Sequence, residues 1–330
     1  MTIDIKALES SLLAGKRRGL AKALTLVESR RPEHRALAIR LLTSLYPKSG
    51  QSHRIGITGS PGVGKSTFIE AFGKFFLEQG HRLAVLAIDP SSPKSHGSIL
   101  GDKTRMDELA VHPHCFIRPS PSGLSLGGVA RRTRECILLC EAAGYDKILI
   151  ETVGVGQSET LVSDMVDEFM FLQLPNAGDQ LQGIKKGILE LADMVVVTKA
   201  DGVFEQAARQ AVVDHELALH FMQDDEDRLP VRVMMCSALE KKGLLEIYDL
   251  LQSKLMELTQ SGRLEKRRSQ QREQWFVSEL NDQMMDLLLQ DRSLKKNVEK
   301  LTTQVIQGTL SPTEAAQQVI ASLGWNAGKE

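Results

Sequence analysis

Residues Gly59 to Ser66 read GSPGVGKS, three glycines, a lysine and a hydroxyl at the spacing G-x-x-x-x-G-K-[ST]. That spacing suits the binding of a nucleotide phosphate. Glycines let backbone N–H groups converge on phosphate oxygens, and a helix that starts at the lysine adds the positive end of its dipole. In this pattern Lys65 reaches the β- and γ-phosphates and the Ser66 hydroxyl binds Mg²⁺. Gly59, Ser60, Pro61, Gly62, Val63, Gly64 and Thr67 complete the cradle. A chance glycine-rich turn is the competing reading, but here the loop follows a strand pattern, HRIGITG, and opens a helical one, STFIEAFGKFF.

A second group of residues bears on the base. Thr198, Lys199 and Asp201 end an apolar run, VVVTKAD, in the pattern [NT]-K-x-D. An aspartate there accepts from the N1–H and exocyclic amine of guanine; adenine lacks that donor pair and leaves the carboxylate unsatisfied. Ser237, Ala238 and Leu239 end the next apolar run and resemble a second guanine-contacting loop. Three carboxylates follow other strands. Asp89 stands in IDPSSP, Asp102 in GDKTRM and Glu151 in ETVGVGQSE, where it takes the place of the aspartate of a D-x-x-G metal loop. A phosphate-bound Mg²⁺ takes one or two protein carboxylates and keeps several waters, so three exceed what a simple site needs. The expectation is a metal and switch network of Ser66, Asp89, Asp102 and Glu151, with Lys65, Glu151 and Asp89 closest to the chemistry.

Such loops need a sheet to hold them. Seven short apolar runs alternate with helical patterns: RIGITG, RLAVLAID, CFIRP, KILIET, EFMFLQL, DMVVVTKAD and VRVMMCSA. Several are continuous rather than alternating, as in parallel strands buried on both faces. The repeated strand–helix order predicts a doubly wound, mostly parallel α/β sheet. Residues 1–50 read as an N-terminal helical extension, 51–258 as the nucleotide-binding core and 259–330 as a C-terminal helical region. In the last of these, Ser311, Pro312 and Glu314 match a helix cap and first turn.

Six stretches carry a closer resemblance: AIDPSSP, GSILGDKTRM, LLCEAAGYD, ETVGVGQSET, GDQLQGIKKG and CSALEKKG. Over nearly the whole chain the sequence resembles the MeaB/ArgK family of P-loop GTPases, relatives of the nickel-insertion GTPases. The resemblance implies a G-protein chaperone of an adenosylcobalamin-dependent acyl-CoA mutase such as methylmalonyl-CoA mutase. Such a chaperone gates cofactor loading, protects the mutase and has its slow GTP hydrolysis accelerated by it. It further implies GTP and GDP as ligands, Mg²⁺ as cofactor and a homodimer joined through the C-terminal helices. An additional switch loop facing the mutase corresponds to Gln173 to Lys186. Three residues depart from the family pattern. Thr198 stands in place of asparagine, which removes an amide that ties the base loop to the phosphate loop. His96 and Asn176 each stand in place of glycine.

Composition narrows the alternatives. Charged residues are 25% of 330, hydrophobic ones 42%, and the formal net charge is -1. That balance offers no overall attraction to nucleic acid or to an anionic membrane. No membrane-spanning or secretory pattern is visible, and the expected location is cytoplasmic. Cys115, Cys136, Cys140 and Cys236 read as reduced, buried thiols. A nickel-type metallochaperone is the first alternative, on the HPHC cluster of His112 to Cys115, but the other half of a four-ligand site is missing. A transport-linked kinase or ATPase is the second; Asp201 disfavours it. The arginines of ARRTRE read as a solvated helix face, LEKRRSQQREQ as an exposed helix, and Gln157 as a residue that could orient water.

Overall fold

The computed structural model describes residues 3–29, 31–88, 106–119, 126–152, 158–175, 186–220, 228–290 and 292–323. By contacts the chain divides into two compact units, Met1–Gln271 and Arg272–Glu330.

The first unit is built on one sheet. Its strands are β1 (His53–Gly59), β2 (Leu83–Ile88), β3 (Cys115–Arg118), β4 (Lys147–Thr152), β5 (Glu168–Gln173), β6 (Met194–Val197) and β7 (Arg232–Met235). They lie in the order β3-β2-β4-β1-β5-β6-β7. Every pairing is parallel, so the sheet is wholly rather than mostly parallel. β1 sits in the middle, between β4 and β5. The chain leaves it toward one edge through β2 and β3, then returns past it to build the other. Where strand order reverses in this way, the loops at the carboxyl ends part and leave a crevice.

The apolar runs are continuous because both faces are covered. Met170, Leu172, Met194 and Val196 join one core with Phe68, Phe72 and Phe76 of α4 (Lys65–Glu78) and with Leu244, Ile247 and Leu251. Alternate residues Phe171, Val195 and Val197 face the other core, with Ile188, Leu189 and Ala208. In α4 the rings of Phe68, Phe72 and Phe76 recur every fourth residue, one helical stripe. Successive centroids are 5.3 and 4.5 Å apart.

Before the sheet come α1 (Ile5–Leu13), α2 (Arg17–Glu28) and α3 (Pro32–Leu45). Leu20, Ala23, Leu24 and Val27 of α2 are buried. Helix α2 packs on the helix after β3, Leu126–Ala142. Here the structure corrects the reading of ARRTRE. Arg132 is buried, and its guanidinium donates to the carbonyls of Val27 and Ser29. It caps the end of α2 instead of meeting solvent.

The remaining helices in chain order are α5 (Asp107–Val111), α6 (Leu126–Ala142), α7 (Ser158–Ser163), α8 (Lys186–Leu191), α9 (Glu205–His220), α10 (Leu244–Gln260), α11 (Arg263–Gln290), α12 (Arg292–Ile306) and α13 (Pro312–Ser322). Within the first unit, Arg267 and Arg268 of α11 are not on an exposed face. Arg268 binds both oxygens of the fully buried Asp167, at 2.8 and 2.7 Å, and also the carbonyls of Gly50 and Ser52. Arg267 binds Asp193. The run LEKRRSQQREQ was expected to be exposed; two of its arginines neutralise carboxylates at strand starts. In the second unit, α12 and α13 pack together with Leu301 and Ala315 buried. Ser311 caps α13 by accepting from the Glu314 N–H.

Candidate functional site: a phosphate loop and a base loop

β1 delivers its last residue, Gly59, into the crevice. A side chain there is excluded, since a Cβ would lie 2.7 Å from the carbonyl oxygen of Leu172 on β5. The loop then turns through Gly62 and Gly64, at φ 81° and 95°. Only glycine takes such angles without strain. Gly64 is the N-cap of α4 and brings no capping side chain. The first-turn N–H groups of a helix have no acceptor within it, and an anion at this N-terminus completes them. Lys65 folds back over its own loop, donating to the carbonyls of Gly59 at 2.5 Å and Ser60 at 3.5 Å. Ser66 is half-buried and Thr67 exposed in the first turn; Ser60, Pro61 and Val63 form the rest of the loop.

The base loop follows β6, which only β5 separates from β1, and the loop after β7 lies next to it because β6 and β7 are neighbours. The Cys236 N–H donates to the Val197 carbonyl at 2.8 Å, and the Ala200 N–H to the Cys236 carbonyl at 3.0 Å. These bonds stitch the loop after β6 to the loop after β7. Lys199 takes a positive φ of 55°, and its Nζ donates to the Gly62 carbonyl at 2.8 Å, so its stem crosses the phosphate loop. Asp201 accepts a short hydrogen bond from the Ser237 hydroxyl, which also accepts from the Glu240 N–H at 3.0 Å. Ala238 is half-buried and Leu239 exposed at the rim. Asp201 is thus aimed and held by the second loop.

Thr198 answers the expectation of a missing tie. It is 3% exposed, and its hydroxyl lies 2.7 Å from the Val63 carbonyl and 3.1 Å from that of Gln173. A hydroxyl on a shorter side chain therefore makes the link between base loop and phosphate loop that was expected to be lost with the amide. The accepting carbonyls are backbone atoms, which leave no trace in residue types.

Glu151 is the next-to-last residue of β4, 4% exposed, in register with Ile57 of β1 and Ala87 of β2. The following residue, Thr152, donates to the Thr58 hydroxyl at 2.8 Å. Glu151 therefore stands at the sheet end from which the phosphate loop rises. Of the expected metal group, Ser66 and Glu151 are described. Asp89 and Asp102 lie outside the described residues, as do His96, Gln157, Asn176 and residues 176–185 of the extra switch. Ser66 supplies a hydroxyl and Glu151 a carboxylate, oxygen donors of the kind a hard Mg²⁺ accepts.

The metallochaperone alternative finds no geometry here. Among the described residues no three His, Cys, Asp or Glu gather as metal ligands. Burial pushes the Cys115 and Cys236 thiols up to about 12, the charge of Asp201 adding to the second. Cys136 and Cys140 are raised by burial as well. Burial thus works against the thiolate form at all four, and the thiolate is the form that ligates a metal.

Known proteins resemble the chain along most of its length. The chain is 50% identical over 319 residues to the probable GTPase Rv1496 of Mycobacterium tuberculosis, covering 97% of this chain and 94% of that protein. It is 42% identical over 326 residues to the mitochondrial methylmalonic aciduria type A homolog of Mus musculus, covering 96% and 79%. A crystal structure of a LAO/AO transport system kinase superposes with a TM-score of 0.74 at 39% identity, covering 98% of this chain and all of that one. Residues 20–293 match the family model described as methylmalonyl Co-A mutase-associated GTPase MeaB. A P-loop GTPase core with this base loop, matched to that family over most of its length, makes the chain a member of the MeaB family of GTPases.

Proposed function

We propose that the protein hydrolyses GTP to GDP and phosphate as a G-protein chaperone of an adenosylcobalamin-dependent acyl-CoA mutase, methylmalonyl-CoA mutase or a close relative. In this reading it couples nucleotide state to cofactor loading and protection of the mutase, in the cytoplasm. The observation that supports the nucleotide half is the linked pair of loops: Lys199 and Thr198 bind the phosphate loop, and Asp201 of the same base loop is held by Ser237 of the next. The mutase half rests on the family and on the name of the mouse relative.

Hydrolysis asks little covalent chemistry of a protein; it asks for positioning and for neutralisation of charge. Lys65 exchanges its bonds to the Gly59 and Ser60 carbonyls for phosphate oxygens. Ser66, Glu151, Asp89 and Asp102 are the residues that would hold Mg²⁺, which would supply neutralisation of phosphate charge. Asp201 reads guanine, with Ser237 to Leu239 closing over it. A homodimer is part of the proposal. Phe276, Val277, Leu280, Met285 and Leu287 of α11 are all about half exposed or more, too much apolar surface for a helix facing only water.

The test is GTP turnover with and without the purified mutase. Stimulated turnover is expected, and Lys185→Ala with Lys186→Ala together should leave basal turnover unchanged and reduce the stimulation. A parent protein whose turnover is indifferent to every acyl-CoA mutase of its host overturns the chaperone reading.

A further inference from the structure

The phosphate loop rises from β1 and Glu151 sits on β4, and the backbone joins these two strands only part of the way. Their parallel pairing runs from His53 with Lys147 to Ile57 with Glu151. Past that row β1 continues against β5, to Gly59 with Leu172, and β4 against β2, to Thr152 with Ile88. At the mouth of the crevice each strand therefore keeps only its other neighbour.

One row beyond the last backbone pair, side chains make the link. Thr58 and Thr152 stand side by side, and the Thr152 hydroxyl donates to that of Thr58 at 2.8 Å. Both residues are fully buried. Across the sheet the row reads Ile88, Thr152, Thr58, Phe171. With apolar side chains on either flank, each hydroxyl has the other as its partner along the row. The face is also sealed. Gly56 lies two residues before Thr58 and so on the same face; a Cβ there would lie 2.7 Å from Phe169 and 2.8 Å from Val162 of α7. A pair of valines would fill the same space without taking hydroxyls out of water, which is costly unless they are bonded. Shape alone calls for threonine at neither position.

The opposite face of the two strands carries the proposed chemistry. Ile55, Ile57 and Leu149 join the core with Phe68 and Phe72 of α4. Glu151 is two residues beyond Leu149 and shares that face, the one on which α4 begins with Lys65 and Ser66. Ser66 is carried by the phosphate loop and hence by β1, while Glu151 is carried by β4.

The geometry points to Thr152, through its bond to Thr58, as a positioning residue that fixes the Glu151 carboxylate relative to the Ser66 hydroxyl. The inference rests on the proposed use of those two groups to hold Mg²⁺. Such an ion demands near-octahedral geometry at short range, so a small shift between the strands is felt at its ligands. The nucleotide itself is gripped by the phosphate loop and the base loop, and that grip does not pass through β4.

The experiment measures the affinity of the full chain for a non-hydrolysable GTP analogue by calorimetry, in EDTA and at a series of Mg²⁺ concentrations. Thr152→Val leaves the Thr58 hydroxyl buried without its partner. Thr58→Val with Thr152→Val removes both hydroxyls and keeps the shape, a change close to neutral for stability, so it separates positioning from folding. In both variants the gain in affinity that Mg²⁺ brings is expected to fall about tenfold, the lower end of what is lost with a group that orients a metal ligand. Affinity in EDTA should stay close to the parent's, and Thr152→Ser should restore most of the gain. A double variant with the parent's full gain, a loss equally large in EDTA, or a serine variant no better than the valine one overturns the proposal. So does a parent whose affinity is indifferent to Mg²⁺. None of these measurements involves turnover: a parent that binds the analogue with Mg²⁺ but leaves GTP intact refutes the proposed hydrolysis and not the tie.

Discussion

Replacing Thr198 by valine tests the link between the two halves of the nucleotide site. The side chains match in shape, so the change removes the hydroxyl and leaves no cavity. What is lost is the bond from Thr198 to the Val63 carbonyl at 2.7 Å and the second, longer one to Gln173. Gln173 keeps its bond from the Thr198 N–H at 2.8 Å. Val63 is the partner that suffers. A neutral hydrogen bond contributes about 0.5–1.5 kcal/mol net, while a buried group deprived of its partner costs about 1–3 kcal/mol. The loss is therefore about 1–3 kcal/mol. Charged to the geometry that holds nucleotide, it weakens GDP about 5- to 150-fold. Thr198→Ser keeps the hydroxyl and gives up one buried methyl, about 0.8 kcal/mol of stability, with GDP affinity close to the parent. The assay is GDP and GTP binding in Mg²⁺ by calorimetry, with urea unfolding alongside. If the valine variant binds GDP within twofold of the parent, or if the valine and serine variants weaken it equally, the hydroxyl is not the tie described here.

Two further predictions follow from other carboxylates. Asp201→Asn should weaken GDP and improve xanthosine diphosphate, because an amide donates to the extra carbonyl of xanthine; unchanged preference in competition binding refutes the base reading. Arg268→Met should destabilise the first unit by about 3–5 kcal/mol near neutral pH, since it strands a buried Asp167. Burial raises the pKa of Asp167, but Arg268 outweighs it and holds the carboxyl below its ordinary value. A depressed carboxylate contributes stability above its unfolded pKa of about 4 and loses it as pH falls through the folded value. Urea midpoints of parent and variant should therefore converge below about pH 4, and a gap that is constant with pH refutes the pairing.

The two ends of the sheet were unequally legible, and the reason is the distance along the chain over which each is assembled. The phosphate loop was readable because its glycines, lysine and hydroxyl are consecutive and act through their own backbone. The strands were readable because burial on two faces demands unbroken apolar runs, and the α13 cap because Ser311 bonds a residue three positions on. The other end offered no such cue. Arg267 and Arg268 meet Asp193 and Asp167 from about 74 and 101 residues away, and Arg132 reaches Val27 from 105. In a helical run full of charge, an arginine that will be buried looks like one that will be solvated; only its partner decides. The same holds for Thr198, whose partners are carbonyls that every residue possesses. A charged residue is read as exposed because taking it out of water alone is costly. Here Asp167 and Asp193 remove that cost in pairs, at the amino ends of strands where the parallel sheet needs its first N–H groups satisfied as well: Asp167 accepts from the Arg54 N–H and Asp193 from that of Phe169. One carboxylate thus closes a strand start and recruits an arginine from α11. Arg267 and Arg268 at this end of the sheet therefore answer a requirement of the sheet itself.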